Sequence, residues 1–318
     1  MAEWLVEDGI GETRAVLAEG ETILDARIIP EGELVAGTVV EARLVARQPE
    51  RNQGIVAWDG HEALVSPIPA GVTEGALTRV EIVRPAIDEP RKPKRARARP
   101  TGAAPGPAPS PEGRRVRHTD PDLLERAGWS ALLEEAAGGI IAFPGGELRA
   151  SLTPAMTLID VDGTLPPSAL AEAGARAAAH AIRRLDIGGS IGIDLPSAAD
   201  KSARLAAAAA IDAVLPQPFE RTAVNGFGFV QIVRRRARRS LCELYATTPA
   251  ATHARALLRR AERAPGVGER TLTAHPAVIA MIAPAWIEQL TMRIGALVAL
   301  RADPALPISG GHVQARHA

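Results

Sequence analysis

Short stretches in which apolar and polar residues alternate fill the first 85 positions, and this pattern predicts β-strands. The predicted strands cover residues 13–18, 22–28, 36–45, 54–58, 61–65 and 79–84. Glu19-Gly20-Glu21 separates the first two, and Asp59-Gly60, a dipeptide typical of two-residue hairpin turns, separates the fourth from the fifth. Several short strands at this spacing predict a small β-barrel.

From about residue 155 onward, apolar runs alternate with helical periodicity. Residues 156–161 form an apolar run that predicts a buried strand, 168–185 an amphipathic helix, and 190–194 a second strand. A strand, a helix and a strand in this order predict a parallel pair joined by a right-handed crossover. The remaining predicted elements are a helix toward Val214, a strand over 227–233, helices over 253–264 and 276–291, and a closing strand over 295–300.

Between these two regions, residues 86–117 are rich in proline, glycine and basic residues. Such a segment buries too little apolar surface to offset the entropy lost on ordering, so it predicts a disordered linker. One interpretation is a solvated tether. The other, compatible with the first, is a cationic arm that attracts phosphates through the basic cluster Arg91, Lys92, Lys94 and Arg95.

Composition narrows the class of protein. Hydrophobic residues make up 46% of 318 residues, enough for two or three domains with cores, but aromatic residues make up only 3%, which limits base stacking. Lys+Arg and Asp+Glu are both 37, so the net charge predicts no polyanionic partner. Cys242 is the only cysteine, which excludes an internal disulfide and favours a reducing compartment.

We expect neither an export signal nor a membrane-spanning segment. Its N-terminus lacks the basic and apolar pattern of a signal peptide, and no apolar run reaches the roughly 18 residues of a membrane-spanning helix. We therefore expect a cytoplasmic protein with no membrane partner.

Asp160 and Asp194 are the candidate catalytic residues, because each ends an apolar run that predicts a strand. In α/β sheets the carboxyl ends of parallel strands face the crevice where ligands bind. A hard divalent cation resolves the repulsion between two neighbouring carboxylates, and Mg²⁺ would support phosphodiester hydrolysis there. Asp162, two residues on, would support Asp160 or add a ligand. The alternative is that these acids are ordinary turn or cap residues.

Four segments, in the same order and rough spacing, resemble the ribonuclease E/G family. They are residues 144–148, with a Gly145-Gly146 turn, residues 155–163 and 185–194 around the two aspartates, and residues 227–241, with their Phe-Gly, arginine-rich and Ser-Leu elements. The resemblance implies a Mg²⁺-dependent endoribonuclease in which Asp160 and Asp194 bind the metal. Asp162 stands where the family usually has an asparagine that supports the first ligand.

The resemblance also implies a fold, which we expect to be of the α/β type with mixed α+β layers. An OB-fold barrel would be inserted in an RNase H-like piece and followed by a DNase I-like catalytic subdomain. The expected segments are 1–35 (RNase H-like strands), 36–85 (RNA-binding barrel), 86–117 (linker), 118–154 (rest of the RNase H-like piece), 155–246 (catalytic subdomain) and 247–318 (C-terminal helices and closing strand).

Arg234, Arg236 and Arg238 alternate in sequence, so on a strand they would project from one face. One interpretation is a solvated basic edge strand, where such charges prevent aggregation. The other is a phosphate clamp for RNA, because guanidinium groups match phosphate geometry. The resemblance favours the clamp.

The chain departs from the family pattern at three places. The interval between the barrel and the catalytic subdomain, which the linker and residues 118–138 occupy, is too short for the family's 5′-sensor domain. We therefore expect no strong preference for 5′-monophosphorylated RNA. Cys242 stands alone where the family has a Cys-Pro-x-Cys zinc link, so a zinc-linked tetramer is not expected, and a homodimer through the catalytic subdomain stays open. Trp58 is the only stacking candidate near the Asp59-Gly60 hairpin. The alternative interpretation is that Trp58 packs in the core.

Two functions remain after this comparison. The first is an endoribonuclease that cuts single-stranded RNA during rRNA or mRNA processing. The second is a catalytically inactive RNA-binding protein that keeps the fold.

Overall fold

The computed structural model describes residues 1–68, 71–87, 93–197 and 200–315, and within them the chain is a mixed α+β protein. The strands are β1 (Glu3–Asp8), β2 (Glu12–Glu19), β3 (Thr22–Pro30), β4 (Val39–Gln48), β5 (Gln53–Trp58), β6 (His61–Val65), β7 (Leu77–Arg84), β8 (Ala96–Pro100), β9 (Arg114–Arg115), β10 (Ile140–Phe143), β11 (Gly146–Leu152), β12 (Thr157–Gly163), β13 (Gly189–Asp194), β14 (Phe219–Arg221), β15 (Phe229–Arg234), β16 (Arg270–Ala274), β17 (Val298–Ala302) and β18 (His312–Ala315). The helices are α1 (Leu123–Arg126), α2 (Trp129–Gly138), α3 (Pro167–Arg184), α4 (Lys201–Val214), α5 (Leu241–Thr247), α6 (Pro249–Arg263), α7 (Pro276–Ile279) and α8 (Pro284–Ile294).

A four-stranded sheet in the order β3-β2-β1-β9 opens the chain. The predicted turn at Glu19-Gly20-Glu21 joins β2 to β3 as an antiparallel pair, and Gly20 takes a positive φ of 60° that glycine adopts without steric cost. β9 pairs in parallel with β1, far from it in sequence. Leu5 and Val16 of this sheet belong to the same hydrophobic core as the large sheet described below.

Strands β4-β5-β6-β8-β7 form a closed barrel, which confirms the predicted barrel in its coarse form. Leu44, Val56 and Val80 fill its interior and are fully buried. The hairpin predicted at Asp59-Gly60 is present, and both residues take positive φ values, 41° and 79°. Positive φ at both central positions is the requirement of a type I′ turn, for which this dipeptide is suited.

The prediction of a disordered linker over 86–117 is wrong where β8 and β9 form. β8 closes the barrel by pairing with both β6 and β7, and it buries Ala96 and Ala98 while Arg97 and Arg99 face solvent. Small apolar residues at every second position suffice for a strand that needs to cover only one face. The barrel therefore extends past residue 85, to Pro100.

The largest sheet has six strands in the order β10-β11-β12-β13-β15-β14. β12 and β13 are parallel and are joined through α3, so the predicted parallel pair with its connecting helix is confirmed. Gly174 of α3 lies directly on Val161 of β12, where an added Cβ would come within 2.3 Å of a valine methyl carbon. This close packing covers one face of the sheet with α3, and α4 packs on α3.

The C-terminal part consists of α6, α7, α8 and a three-stranded sheet in the order β17-β16-β18, with its own hydrophobic core. The predicted helix over 276–291 is interrupted, because Pro284 begins α8 and cannot continue a preceding helix. The predicted closing strand is present but shifted, since β17 covers Val298–Ala302. In the part of the chain that the structure describes, no helix combines the length and the apolarity needed to cross a membrane.

A buried ion network fastens α6 to the N-terminal sheet. The carboxylate of Glu7 on β1 accepts hydrogen bonds from Arg14 at 2.7 Å, from Arg259 at 2.8 Å and from Arg263 at 2.5 Å. Glu12 on β2 pairs with Arg14 at 2.7 Å and with Arg255 at 2.9 Å. These contacts join strands near the N-terminus to a helix about 250 positions later in the chain (the separation of Glu7 and Arg259 is 252).

Candidate active site

Asp160 and Asp194 are neighbours on the two parallel strands of the large sheet. In the register of β12 and β13, Asp160 lies directly opposite Asp194, at the carboxyl ends of both strands. Neighbouring strands lie about 4.8 Å apart, and residues in register project from the same face. The structure therefore brings together the two residues that the sequence analysis selected.

The face that carries the two aspartates is the open face of the sheet. The residues that alternate with them, Ile159, Val161 and Ile193, are buried on the helix-covered face. Asp160 is half-buried and Asp194 is exposed. Neither carboxylate has a hydrogen bond or ion pair with any residue that the structure describes, so both are available to a ligand.

β11 adds one acidic and one basic side chain, Glu147 and Arg149, to the same face. In its antiparallel register with β12, Arg149 lies opposite Asp160 and Glu147 lies opposite Asp162. The Arg149 guanidinium donates to Glu147 at 2.7 Å and lies 3.9 Å from Asp162. The hydrogen bond with Glu147, together with the charges of Glu147 and Asp162, raises the pKa of Arg149.

The donor chemistry of this face fits a Mg²⁺ ion. Within residues 1–68, 71–87, 93–197 and 200–315, no group of three or more His, Cys, Asp or Glu side chains is arranged to hold a metal ion. Mg²⁺ commonly binds proteins through only one or two carboxylates and fills its other positions with water and phosphate oxygens. Asp160 and Asp194 are adjacent, and among the residues that the structure describes neither has a hydrogen-bond or ion-pair partner, so the two could supply such a pair of carboxylates.

Arg234 does not point toward the aspartates, contrary to prediction. Arg234 pairs with Gly189 at the start of β13, whereas Asp194 at its end pairs with Phe229. Five residues of strand separate the two positions, about 16 Å at 3.3 Å per residue. Arg234 also lies on the helix-covered face, where its guanidinium donates to the carbonyl of Ile187 at 3.2 Å.

Arg236 and Arg238 follow the end of β15 at Arg234, so they do not alternate along a strand. Arg236 pairs with Glu243 at 2.7 Å, and Arg238 pairs with Asp186 at 2.5 Å. The side chains of Arg236 and Arg238 are only 11% and 15% exposed. The predicted phosphate clamp is therefore wrong: carboxylates of the chain itself occupy these arginines, because the turn after β15 folds back over the amino end of the sheet.

Trp58 lies at the end of β5, half-buried, with its ring 5.6 Å from the imidazole ring of His61. It lines a cleft of about 690 Å³ between the barrel, the N-terminal sheet and residues 107–110. The structure therefore leaves part of Trp58 accessible to a ligand.

The predicted basic arm is only partly described. Arg95 pairs with Glu62 at 2.7 Å on the barrel surface, and Lys94 lines a second cleft of about 460 Å³ between the barrel and the large sheet. Arg91 and Lys92 lie outside the described residues.

Three residues of the site were missed by the sequence analysis. Glu147 and Arg149 reach the aspartates only through the pairing of β11 with β12, which the sequence pattern does not reveal. Phe227 was assigned to a strand, but β15 begins at Phe229, and Phe227 is 83% exposed in the turn before it. The glycines on both sides of Phe227, at 226 and 228, are the signal that could have indicated a turn.

Cys242 is buried in α5, and burial raises the pKa of its thiol to about 12. Cys242 belongs to the largest hydrophobic core. Neither a model of a known protein family nor a curated protein matches this chain.

Proposed function

We propose that this protein is a Mg²⁺-dependent endoribonuclease of the E/G type, which hydrolyses phosphodiester bonds in single-stranded RNA. One observation carries the proposal: Asp160 and Asp194 lie in register on neighbouring parallel strands, on an open face, with no described partner. The motif resemblance supplies the reaction class. On this proposal the closed barrel is an OB-fold, the N-terminal sheet belongs to an RNase H-like piece, and the large sheet is a DNase I-like catalytic subdomain.

Asp160 and Asp194 would hold the metal ion. When bound, Mg²⁺ supplies an electrophile for the phosphate oxygens and lowers the pKa of a bound water. Asp162, which stands opposite Glu147, adds negative charge to the same face and strengthens its attraction for a cation. A divalent cation between the neighbouring carboxylates would relieve the repulsion of their like charges.

Arg149 is the cation best placed to receive the RNA backbone beside the aspartates. It stands opposite Asp160 and is exposed, and the Nη1 atom of its guanidinium takes no part in the two hydrogen bonds to Glu147. A guanidinium next to a carboxylate pair would orient a phosphate toward the metal. The phosphate contact assigned to Arg234, Arg236 and Arg238 from the sequence thus passes to a different residue.

The barrel would hold RNA upstream or downstream of the cut. Trp58 borders a cleft that opens between the barrel and the N-terminal sheet, and its ring offers one stacking surface. Arg97 on β8 projects outward from the barrel and would contact the backbone of a bound strand, whereas Arg99 pairs with Glu81 at 2.9 Å.

The test is cleavage of single-stranded RNA with and without Mg²⁺ by the wild type, Asp160→Asn and Asp194→Asn. Each variant keeps the size of the side chain but removes the charge, so we expect cleavage to fall by at least about 100-fold. Glu172→Gln is the matched control, because this exposed acid on α3 pairs with Arg176 at 3.3 Å, away from the aspartates. We expect it to cut like the wild type.

The alternative is an RNA-binding protein without turnover. It predicts that RNA binds with equal affinity to the wild type and to both variants, and that none of them cuts RNA at any Mg²⁺ concentration. If the wild type cuts RNA and the two aspartate variants do not, this alternative is excluded.

A further inference from the structure

Phe227 is an aromatic side chain left in solvent at the end of the sheet that carries Asp160 and Asp194. It is 83% exposed, whereas the chain's other phenylalanines, Phe143, Phe219 and Phe229, are each partly buried. A single exposed apolar residue is common on protein surfaces and needs no explanation by itself. The argument therefore depends on how Phe227 is held and on what lies beside it.

The turn that presents Phe227 is tightly built. The side-chain oxygen of Asn225 accepts hydrogen bonds from the backbone N–H of Phe227 at 2.9 Å and of Phe229 at 3.0 Å. Gly228 has a φ of +90°, and an added Cβ there would lie 2.1 Å from the carbonyl oxygen of Leu195. Only glycine fits this position, and the close backbone contact with Leu195 fixes the turn that carries Phe227.

The same contacts place Phe227 beside the aspartates. Asp194 pairs with Phe229, two residues after Phe227. The turn also rests on the segment that follows Asp194: Leu195 donates to the carbonyl of Gly228 at 3.2 Å, and the Ser197 hydroxyl donates to the carbonyl of Phe227 at 3.3 Å. The exposed ring and the carboxylate pair therefore share one end of the sheet.

We propose that Phe227 stacks on a base of single-stranded RNA next to the phosphate held at Asp160 and Asp194. This inference rests on the proposed function. A strand of RNA whose phosphate lies at the carboxylates must place its neighbouring bases over the adjoining surface, and an exposed ring there offers a face to any base. Stacking on one aromatic ring strengthens binding about 5- to 150-fold and is tolerant of base identity.

The experiment compares kcat/KM for a short single-stranded RNA among the wild type, Phe227→Ala and Phe227→Trp. We expect Phe227→Ala to lower kcat/KM about 5- to 150-fold, and Phe227→Trp to retain it, because tryptophan also stacks. Leu297→Ala is the matched control, since Leu297 is an apolar residue 71% exposed in the C-terminal part, and we expect no change. Equal cleavage by the wild type and Phe227→Ala would overturn the inference.

Substrates with one abasic nucleotide locate the stacked base. At the position next to the cut, removal of the base should slow the wild type but not Phe227→Ala, because the variant has already lost the same contact. A merely structural role for Phe227 would slow cleavage of every substrate alike. Equal losses at all positions in both proteins would therefore also overturn the inference.

Tryptophan fluorescence separates this inference from the proposed function. RNA added to Phe227→Trp should quench more emission than in the wild type, whether or not the RNA is cut. Excess quenching without cleavage by the wild type would refute the nuclease and support the stacking. Cleavage by the wild type without excess quenching would refute the stacking alone, and the absence of both would refute both.

Discussion

Glu7 is the centre of the buried ion network, and its replacement by glutamine is the sharpest test of how that network stabilises the fold. The Glu7 side chain is only 4% exposed and accepts hydrogen bonds from Arg14, Arg259 and Arg263. Glutamine keeps the shape but removes the negative charge that these three guanidinium groups share. We expect Glu7→Gln to destabilise the protein substantially.

The magnitude follows from the pKa of Glu7. Burial by itself raises this pKa, but the charges of Arg259, Arg14 and Arg263 outweigh it and lower the pKa from 4.5 to about 2. The difference of about 2.5 units corresponds to about 3 kcal/mol at 1.36 kcal/mol per unit. Removing one partner of a buried ion pair lowers the free energy of unfolding by a similar amount, about 3–5 kcal/mol.

The sign of the pH dependence follows from the direction of the shift. Because the pKa of Glu7 is lower in the folded state, its contribution to stability is fully present above pH 4.5 and is lost as the pH falls through about 2. The wild type should therefore lose about 3 kcal/mol from this group across that window. Glu7→Gln has no such group, so its deficit relative to the wild type should be largest at neutral pH and shrink toward pH 2.

The assay is urea unfolding followed by circular dichroism at neutral pH and at several values below pH 4.5, with the free energy of unfolding compared between proteins. Glu3→Gln is the matched control, because Glu3 lies on the same strand and is exposed. We expect the control to change the free energy by less than about 0.5 kcal/mol. The reasoning is refuted if Glu7→Gln is no less stable than Glu3→Gln, or if its deficit stays constant down to pH 2.

Two further predictions separate structural roles from RNA contacts. Arg238→Ala should lower the free energy of unfolding by about 1–3 kcal/mol, because it removes the closer of two partners of the Asp186 carboxylate, at 2.5 Å, and leaves only Arg234 at 3.9 Å. The RNA affinity of the folded protein should stay the same. Urea unfolding and fluorescence anisotropy measure the two quantities, and weaker RNA binding at unchanged stability would restore the phosphate clamp. Trp58→Ala should weaken binding of single-stranded RNA by about 1–3 kcal/mol and Trp58→Phe by less, because phenylalanine also stacks; equal anisotropy titrations for wild type and Trp58→Ala would show that Trp58 contacts no base.

The paired arginines after β15 show why the charge of a segment does not reveal its role. Residues 234–239 contain five arginines in six positions, which as a sequence indicates an RNA-binding strand. In the fold, Arg239 pairs at 2.5 Å with Glu33, which follows β3, and Arg238 pairs with Asp186. Arg239 therefore ties the segment after β15 to the N-terminal part, and Arg238 ties it to the connection between α3 and β13.

Local patterns determined much of the fold. The Asp59-Gly60 turn, the hairpin across Gly20 and the crossover through α3 were all predicted, because turn preference and apolar periodicity act between residues close in the chain. The closeness of Asp160 and Asp194 followed as well, since parallel strands joined by a helix place their carboxyl ends together. Their role in binding Mg²⁺ and cutting RNA stays a prediction.

The tertiary structure alone decided which groups became partners. β8 was predicted as linker because its two buried alanines give only a weak apolar pattern in the sequence. In the fold, these small side chains suffice because β8 only has to close the barrel between β6 and β7. Arg149 came to the aspartates through antiparallel pairing, and Phe227 stayed exposed because its turn rests on Leu195. Ion pairs and exposure depend on distances in space between residues far apart in sequence, and periodicity, which is a property of neighbours along the chain, carries no information about them.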